Sequence, residues 1–222
     1  MSNVQAAKLI IENIQLLEQA KIILEGEITE KLLAAVDKVV QEYIDSLDVQ
    51  WDGYFKLSED YLVFAASDWK VKDSNKFIQN FYARYGLGWE SGETDGDTNC
   101  WWLSSFIKND VERIIFDFYP CYDNYKEKVN KKKWNEFANE QNQLQPKIEQ
   151  FGFKFNASNG SWYIVVDGIE PKTFIENYES DTLEDALTPI IEALDKVKQA
   201  HPYFDQIVQA AIVKFGRIEN EE

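Results

Sequence analysis

Three residues around one predicted hairpin have the types and spacing to do chemistry. Asp52 precedes the first apolar run of the hairpin, and Asp68 and Lys70 follow the second. Carboxylate oxygens are the ligands that Mg²⁺ takes in proteins, and a nearby lysine can stabilise the charge that develops on a phosphate during cleavage. The three side chains therefore suggest metal-assisted hydrolysis of a phosphodiester as one candidate activity.

Asp52 together with Asp68-Trp69-Lys70 resembles the Asp…(Asp/Glu)-x-Lys signature of the PD-(D/E)xK nucleases. The resemblance covers the stretch from Asp52 to Lys70 only. It implies that Asp52 and Asp68 hold a divalent ion and that Lys70 stabilises charge. A strand order that reads as antiparallel, and an acidic balance that opposes DNA, both point away from this family, so a metal-dependent nuclease is the alternative function.

Other catalytic chemistry has few candidate residues. His201 is the single histidine, so a Ser-His-Asp or Cys-His arrangement would need it as the base, and no glycine-flanked nucleophile is present. Cys100 and Cys121 with one histidine are too few for a zinc site, and the phosphate-binding glycine patterns are missing. We expect no cofactor and no bound metal, and the sequence leans towards a protein that is not an enzyme.

Charge is the strongest compositional signal. The chain carries 23 Lys and Arg against 39 Asp and Glu, a net charge of -16, and the excess lies mainly in the two helical flanks. Such a field repels nucleic acids and anionic membranes and speeds encounter with a basic partner. The first hypothesis is therefore an acidic, non-enzymatic domain that docks a basic protein partner, in the manner of an immunity protein, an inhibitor or a nucleic-acid mimic. No direct binding of nucleic acid or membrane is expected.

The candidate contact residues are carboxylates in two acidic segments. One segment is a Gly-rich loop and the other lies in the C-terminal helical region, and abundant Trp and Tyr could serve as interface anchors. The predicted partner-binding residues are Glu90, Glu93, Asp95 and Asp97 in the loop and Glu176, Glu179, Asp181, Glu184 and Asp185 in the tail.

The first fifty residues have helical periodicity. Apolar residues recur at helical spacing from Val4 to Leu24, stop at Gly26, and resume from Ile28 to Leu47. We interpret residues 1–50 as a helical hairpin with a tight turn, packed on or projecting from the rest, and a single bent helix is the alternative. The same helices could join two copies in a homodimer, which makes an oligomeric scaffold subunit a further alternative function.

Residues 51–222 are predicted to form a single α+β globular unit. The turn at Ser58-Glu59-Asp60 and the dipeptide Asn159-Gly160 each predict a β-hairpin. Two more strands are predicted at 101–107 and 113–120, and helices at 74–85, 126–145, 182–187, 189–200 and 202–215. Because Val129 falls off the apolar stripe of the second of these helices, a start later than Lys126 is the alternative. Because strands mostly follow strands, we expect an antiparallel sheet of about six strands built from hairpins and covered by helices, with a helical C-terminal tail.

The expected location is the cytoplasm. The sequence has no run of about 18 apolar residues and no basic segment with a cleavage site at its start. In a reducing compartment both cysteines would remain thiols that pack as small apolar groups.

Overall fold

A six-stranded antiparallel sheet organises the chain. The computed structural model describes residues 3–48, 50–71, 80–90, 102–107 and 113–218. The sheet order is β1-β2-β3-β4-β6-β5, and every neighbouring pair is antiparallel. Its strands are β1 (Trp51–Lys56), β2 (Tyr61–Ala66), β3 (Ala83–Trp89), β4 (Ile114–Pro120), β5 (Lys154–Asn156) and β6 (Ser161–Val165). The predicted α+β class, the strand number and the antiparallel arrangement are confirmed.

Helices supply the rest of the described structure. Short 3-10 turns at Leu57–Glu59, Ser67–Trp69, Tyr122–Asn124 and Leu183–Leu187 connect the larger elements. The helices are α1 (Asn3–Glu12), α2 (Ile14–Ile23), α3 (Thr29–Asp45), α4 (Trp102–Phe106), α5 (Lys131–Leu144), α6 (Lys147–Gln150), α7 (Pro171–Glu179) and α8 (Thr188–Phe215).

One face of the sheet is a row of aromatic rings. Phe64, Tyr85, Phe118 and Trp162 stand opposite one another on β2, β3, β4 and β6, because the register pairs them across the sheet. All four are fully buried, and Phe204 of α8 stacks on Phe118 with 4.5 Å between ring centroids. Large aromatic side chains gain most from leaving water, so this row fixes α8 on the sheet.

Helix α8 is one element where the sequence predicts two. The dipeptide His201-Pro202 looks like a helix start, because proline is favoured at the first helical position. The structure instead continues through Pro202, which is exposed, so water can satisfy the carbonyl that loses its partner. The buried stripe of Leu194, Val197 and Phe204 runs across the proline and keeps both halves on the sheet.

Two predicted elements are wrong. Residues 101–107 were expected to be a strand, but Trp102–Phe106 is helical, with the rings of Trp102 and Phe106 one turn apart at 6.0 Å. A short apolar run does not distinguish helix from strand by its periodicity. The helix predicted for 74–85 is wrong at its end, because residues 83–85 belong to β3, and 72–79 lie outside the described residues.

The N-terminal helical region is confirmed, and its joint has a specific form. Leu24–Ile28 is a π-helical turn that contains Gly26, and the flanking residues Ile23 and Thr29 keep right-handed helical dihedrals. Helix α3 buries Leu32, Val36 and Val40 in the same core as the sheet. By contrast, no residue of α1 or α2 is buried in the described chain.

Both predicted hairpin turns are confirmed. Asp60 adopts φ 63° at the end of the 3-10 turn between β1 and β2, and Gly160 adopts φ 64° between β5 and β6. The helix predicted at 126–145 begins later, at Lys131, where the side chain of Asn130 accepts a hydrogen bond from the Lys133 amide. That bond is an N-cap, which satisfies one of the free amides of the first turn.

Candidate functional site

A half-buried carboxylate lies at the centre of the second face of the sheet. Asp117 on β4 is paired in register with Gly86 on β3 and with Tyr163 on β6. Gly86 leaves the space that the carboxylate occupies, since a Cβ atom there would lie 3.0 Å from Asp117 Oδ1. Asp117 therefore leans over the glycine, where the Gly86 amide stabilises its ionised form by hydrogen bonding.

The environment of Asp117 favours the protonated form of its carboxyl group. Burial raises the pKa of Asp117 to about 6, although the positive charge of Arg84 and two backbone hydrogen bonds oppose the rise. Arg84 also lies over the ring of Tyr119, with 5.4 Å from guanidinium carbon to centroid. A carboxyl group with this pKa changes charge close to neutral pH, so it can bind a cation or exchange a proton there.

A depression of about 200 Å³ opens above this carboxylate. On its rim the Glu90 carboxylate accepts a hydrogen bond from Arg113 Nε at 2.7 Å, and Tyr163 also interacts with Glu90. Its lining is Trp89, Glu90, Ile115, Asp117, Tyr119, Asn156, Asn159, Ser161 and Tyr163. The volume is below the 300 Å³ or so at which drug-sized ligand sites begin, so only a small polar group would fit.

Sequence reasoning did not single out Asp117. A signal was present, because Asp117 is the only charged residue in Ile114–Pro120 and alternates with the buried Phe116 and Phe118. Strand alternation places such a residue on the face opposite the aromatic row. Which residue stands beside it on β3 depends on the register, and the sequence does not provide that register.

The predicted acidic contact residues divide into three groups. Glu93, Asp95 and Asp97 lie outside the described residues, and Glu90 is engaged by Arg113 and Tyr163. The tail residues lie along α7 and the following 3-10 turn, beside α3. We call these five residues, Glu176, Glu179, Asp181, Glu184 and Asp185, the acidic edge.

Lysines neutralise part of the acidic edge. Lys38 Nζ lies 2.6 Å from Glu184 Oε1, Lys31 Nζ lies 3.7 Å from Asp181 Oδ1, and Lys172 pairs with Glu176 one turn away. The Lys38 ammonium lowers the pKa of Glu184, so this carboxyl is ionised at neutral pH. In the described part of the chain, the carboxylates of Glu179 and Asp185 have no ion pair and are exposed.

The nuclease-like residues are only partly brought together. Lys70 Nζ lies 3.1 Å from Asp52 Oδ2, and Ser67 Oγ donates to the same oxygen at 3.0 Å. Asp68 interacts instead with groups on and after α8: burial and the negative charge of Asp205 raise its pKa, and Arg217 opposes them. Asp52 thus has its nearest cation in Lys70, while Asp68 faces another set of charges.

The single histidine is enclosed by aromatic rings. His201 lies 4.5 Å from the ring of Trp51 and 5.0 Å from that of Trp69, measured between centroids. The hydroxyl of Tyr85 and His201 Nδ1 are 3.2 Å apart. Burial lowers the pKa of His201 to about 4, so the ring is neutral at pH 7 and belongs to the packing of α8 on the sheet.

The described residues contain neither a cluster of metal-binding side chains nor a helix suited to cross a membrane. Among them no group of three or more His, Cys, Asp or Glu side chains is placed to hold a metal ion. None of the helices in these ranges has the length and hydropathy needed to cross a bilayer. Comparison with protein-family models, curated proteins and solved structures finds no match to this chain.

Proposed function

We propose that this protein is a non-enzymatic acidic domain that docks a basic protein surface through the acidic edge. The observation that carries the proposal is the state of its carboxylates. Glu179 and Asp185 are exposed without an ion pair in the described chain, and the side chain of Asp181 is 89% exposed with one lysine at 3.7 Å. Charged groups in this state are available to a partner of opposite charge.

The ion pairs on the edge do not prevent docking. The pairs of Glu176, Asp181 and Glu184 involve side chains that are about one third exposed or more. Exposed ion pairs contribute about 0–1 kcal/mol each, so a basic partner can replace a lysine with little cost. The overall charge of -16 would also draw a basic partner in before contact.

Buried residues and side-chain hydrogen bonds fix the position of the acidic edge. Leu183, Ala186 and Leu187 in the 3-10 turn are buried, and Thr182 Oγ1 donates to the side chain of Asn177 at 2.9 Å. The Tyr178 hydroxyl donates to Glu27 at 2.9 Å, which ties α7 to the base of the N-terminal helices. Carboxylates fixed in this way keep their positions, and this reduces the entropy lost when a partner binds.

Charge reversal tests the proposal. The edge variant is Glu179→Lys with Asp181→Lys and Asp185→Lys. The control variant makes the same change of net charge at three exposed acids elsewhere, Asp123→Lys, Glu136→Lys and Glu149→Lys.

Each chain is immobilised, exposed to native lysate, and the bound proteins are identified by mass spectrometry. A stoichiometric basic protein should bind the wild type and the control variant, and its association rate should fall at least tenfold for the edge variant with a weaker dependence on salt. Equal association rates for the two variants would show that the edge does not carry the binding.

A further inference from the structure

The N-terminal helical segment is exposed on all sides. Residues 3–24, which we call the arm, include α1 and α2, and none of them is buried, whereas the core begins at Leu32. Leu9, Ile10 and Leu16 are 49%, 50% and 63% exposed. Helices of this length gain most of their stability from packing, and large apolar surfaces left in water mark interaction sites.

The apolar residues of the arm include a continuous stripe. Its members recur at spacings of three and one, which place them on one side of a helix with 3.6 residues per turn. The helical hydrogen bonds continue through Asn13, whose amide bonds to the Leu9 carbonyl and whose carbonyl accepts from Leu17. The stripe consists of Ala6, Leu9, Ile10, Asn13, Leu16, Leu17, Ala20, Ile23 and Leu24.

The chemistry of the stripe fits a second copy of the same chain. Its members carry no charge, and the arm's charged residues lie beside it in pairs such as Lys8 with Glu12 and Lys21 with Glu25. A basic partner would find no carboxylate on the stripe, and an anionic membrane would be repelled by the net charge of -16. A second arm presents the same uncharged surface, so each would cover the other.

The length of the arm sets the length of the contact. Its 22 residues would span about 33 Å as a helix, and the nine residues of the stripe run along one side of it. Five large apolar side chains of the stripe are between 43% and 63% exposed. They are Leu9, Ile10, Leu16, Leu17 and Ile23.

The charge of the body decides the direction of pairing. The acidic edge lies at the base of the arm, because Tyr178 bonds to Glu27 and Lys31 lies by Asp181. Parallel arms would bring two acidic edges together, whereas antiparallel arms hold them about 33 Å apart, beyond the Debye length of about 8 Å at physiological salt. We propose that two copies of this chain form a dimer by antiparallel pairing of their stripes.

The sequence of the stripe accommodates this direction. With Leu16 and Leu17 at the centre, Leu9 faces Leu24 of the second copy and Asn13 faces Ala20. The small Ala20 leaves room for the Asn13 amide, which already donates to the Leu9 carbonyl at 2.9 Å. The pairing does not depend on whether the acidic edge binds a basic protein.

Two variants of the full chain test the dimer. Leu16→Glu with Leu17→Glu places charge on the stripe, and the control Ile11→Glu with Ile22→Glu places the same charge on the opposite side of the arm. Light scattering after size exclusion should give twice the 25.9 kDa chain mass for the wild type and the control, and 25.9 kDa for the stripe variant.

Circular dichroism should show that the control keeps the helical content of the wild type and that the stripe variant loses at most the helical signal of its arm, since the body has its own core. A wild-type mass of one chain or of more than two, or equal dissociation of the two variants, would overturn the proposal.

Cross-linking tests the direction. In a background of Cys100→Ser and Cys121→Ser, Leu16→Cys should form a disulfide between copies. Leu9→Cys should not, because antiparallel pairing separates the two copies of residue 9 by about 22 Å along the arm. Equal cross-linking at both positions would indicate parallel arms.

Discussion

Two partly buried groups, Asp117 and His201, should have opposite effects on how the free energy of unfolding changes with pH. Burial raises the pKa of Asp117 from the ordinary 3.8 to about 6, and burial lowers the pKa of His201 from 6.5 to about 4. The two groups lie on opposite faces of the sheet, so their effects on the free energy of unfolding should add independently.

The sign of each effect follows from where the proton binds more tightly. The folded chain holds the Asp117 proton more tightly than the unfolded chain, so this residue makes the fold more stable as the pH falls from about 6 to about 4. The folded chain holds the His201 proton less tightly, so the stability from neutral His201 is present above about pH 6.5 and is lost as the pH falls towards 4. For each residue the pKa of the folded chain differs from that of the unfolded chain by about two units, which corresponds to about 3 kcal/mol in the free energy of unfolding.

Single substitutions should separate the two effects. Asp117→Asn keeps an acceptor for the Gly86 amide but cannot ionise, so it should be about 3 kcal/mol more stable than the wild type at pH 7.5 and should approach the wild type at pH 4. His201→Gln loses ring contacts with Trp51 and Trp69 at every pH, which lowers its stability by a constant amount. The test is therefore how its free energy of unfolding changes with pH. Relative to the wild type it should gain about 3 kcal/mol between pH 6.5 and 4.

The assay is urea unfolding at pH 7.5, 6, 5 and 4, with the free energy of unfolding taken from the linear extrapolation. Other carboxyl groups titrate in the same range, but they are common to all three chains and cancel in the differences. If the free energy of unfolding of either variant changes with pH just as that of the wild type does, the shifted pKa of the substituted residue is wrong.

Three further substitutions, one of them a control, test local contacts by the same assay. Gly160→Ala should destabilise the fold by about 3 kcal/mol, because the new Cβ would lie 2.8 Å from Trp134 Cδ1 at φ 64°, whereas Gly26→Ala, with no atom within 4 Å, should cause no loss. Lys70→Ala should cost less than about 1 kcal/mol, because its pair with Asp52 is partly exposed, and a larger loss would show that the lysine has contacts beyond this pair.

The hairpins could be predicted because their signals are local. Asn159-Gly160 requires a glycine at positive φ, and Asp60 similarly adopts the left-handed conformation that aspartate tolerates. Alternation in Ile114–Pro120 predicted β4 in the same way, because Asp117 stands between Phe116 and Phe118 and the branched and aromatic residues favour a strand. These features depend on a few adjacent residues and little on the rest of the chain.

The missed elements depend on distant parts of the chain. Strand β3 begins where the phenylalanines at 77 and 81 predicted a helix, and it forms because it pairs along its whole length with β4, about thirty residues later. Helix α7 was predicted only as part of a C-terminal helical region without bounds of its own; it begins at Pro171 and buries only Phe174 among its nine residues. A helix with one buried residue has almost no periodic signal.

The acidic edge shows the same limit at the level of function. The sequence named these carboxylates as candidate contact residues, and the structure shows that Lys38 reaches one of them, Glu184, across 146 residues of sequence. Within the acidic edge, the structure leaves Glu179 and Asp185 exposed and without an ion pair in the described chain. Charge counts identify an acidic region, and only the fold decides which of its members a partner can reach.

The arm and the acidic edge meet at one place, and this constrains how the two could work together. Glu27 and Lys31 lie just beyond the arm, where Glu27 contacts Tyr178 of α7 and Lys31 contacts Asp181 of the acidic edge. An antiparallel dimer therefore carries one acidic edge at each end, with the arms between them. Such a dimer could engage two basic surfaces about 33 Å apart, so a partner with paired basic sites would gain from effective concentration and lose that gain in the stripe variant.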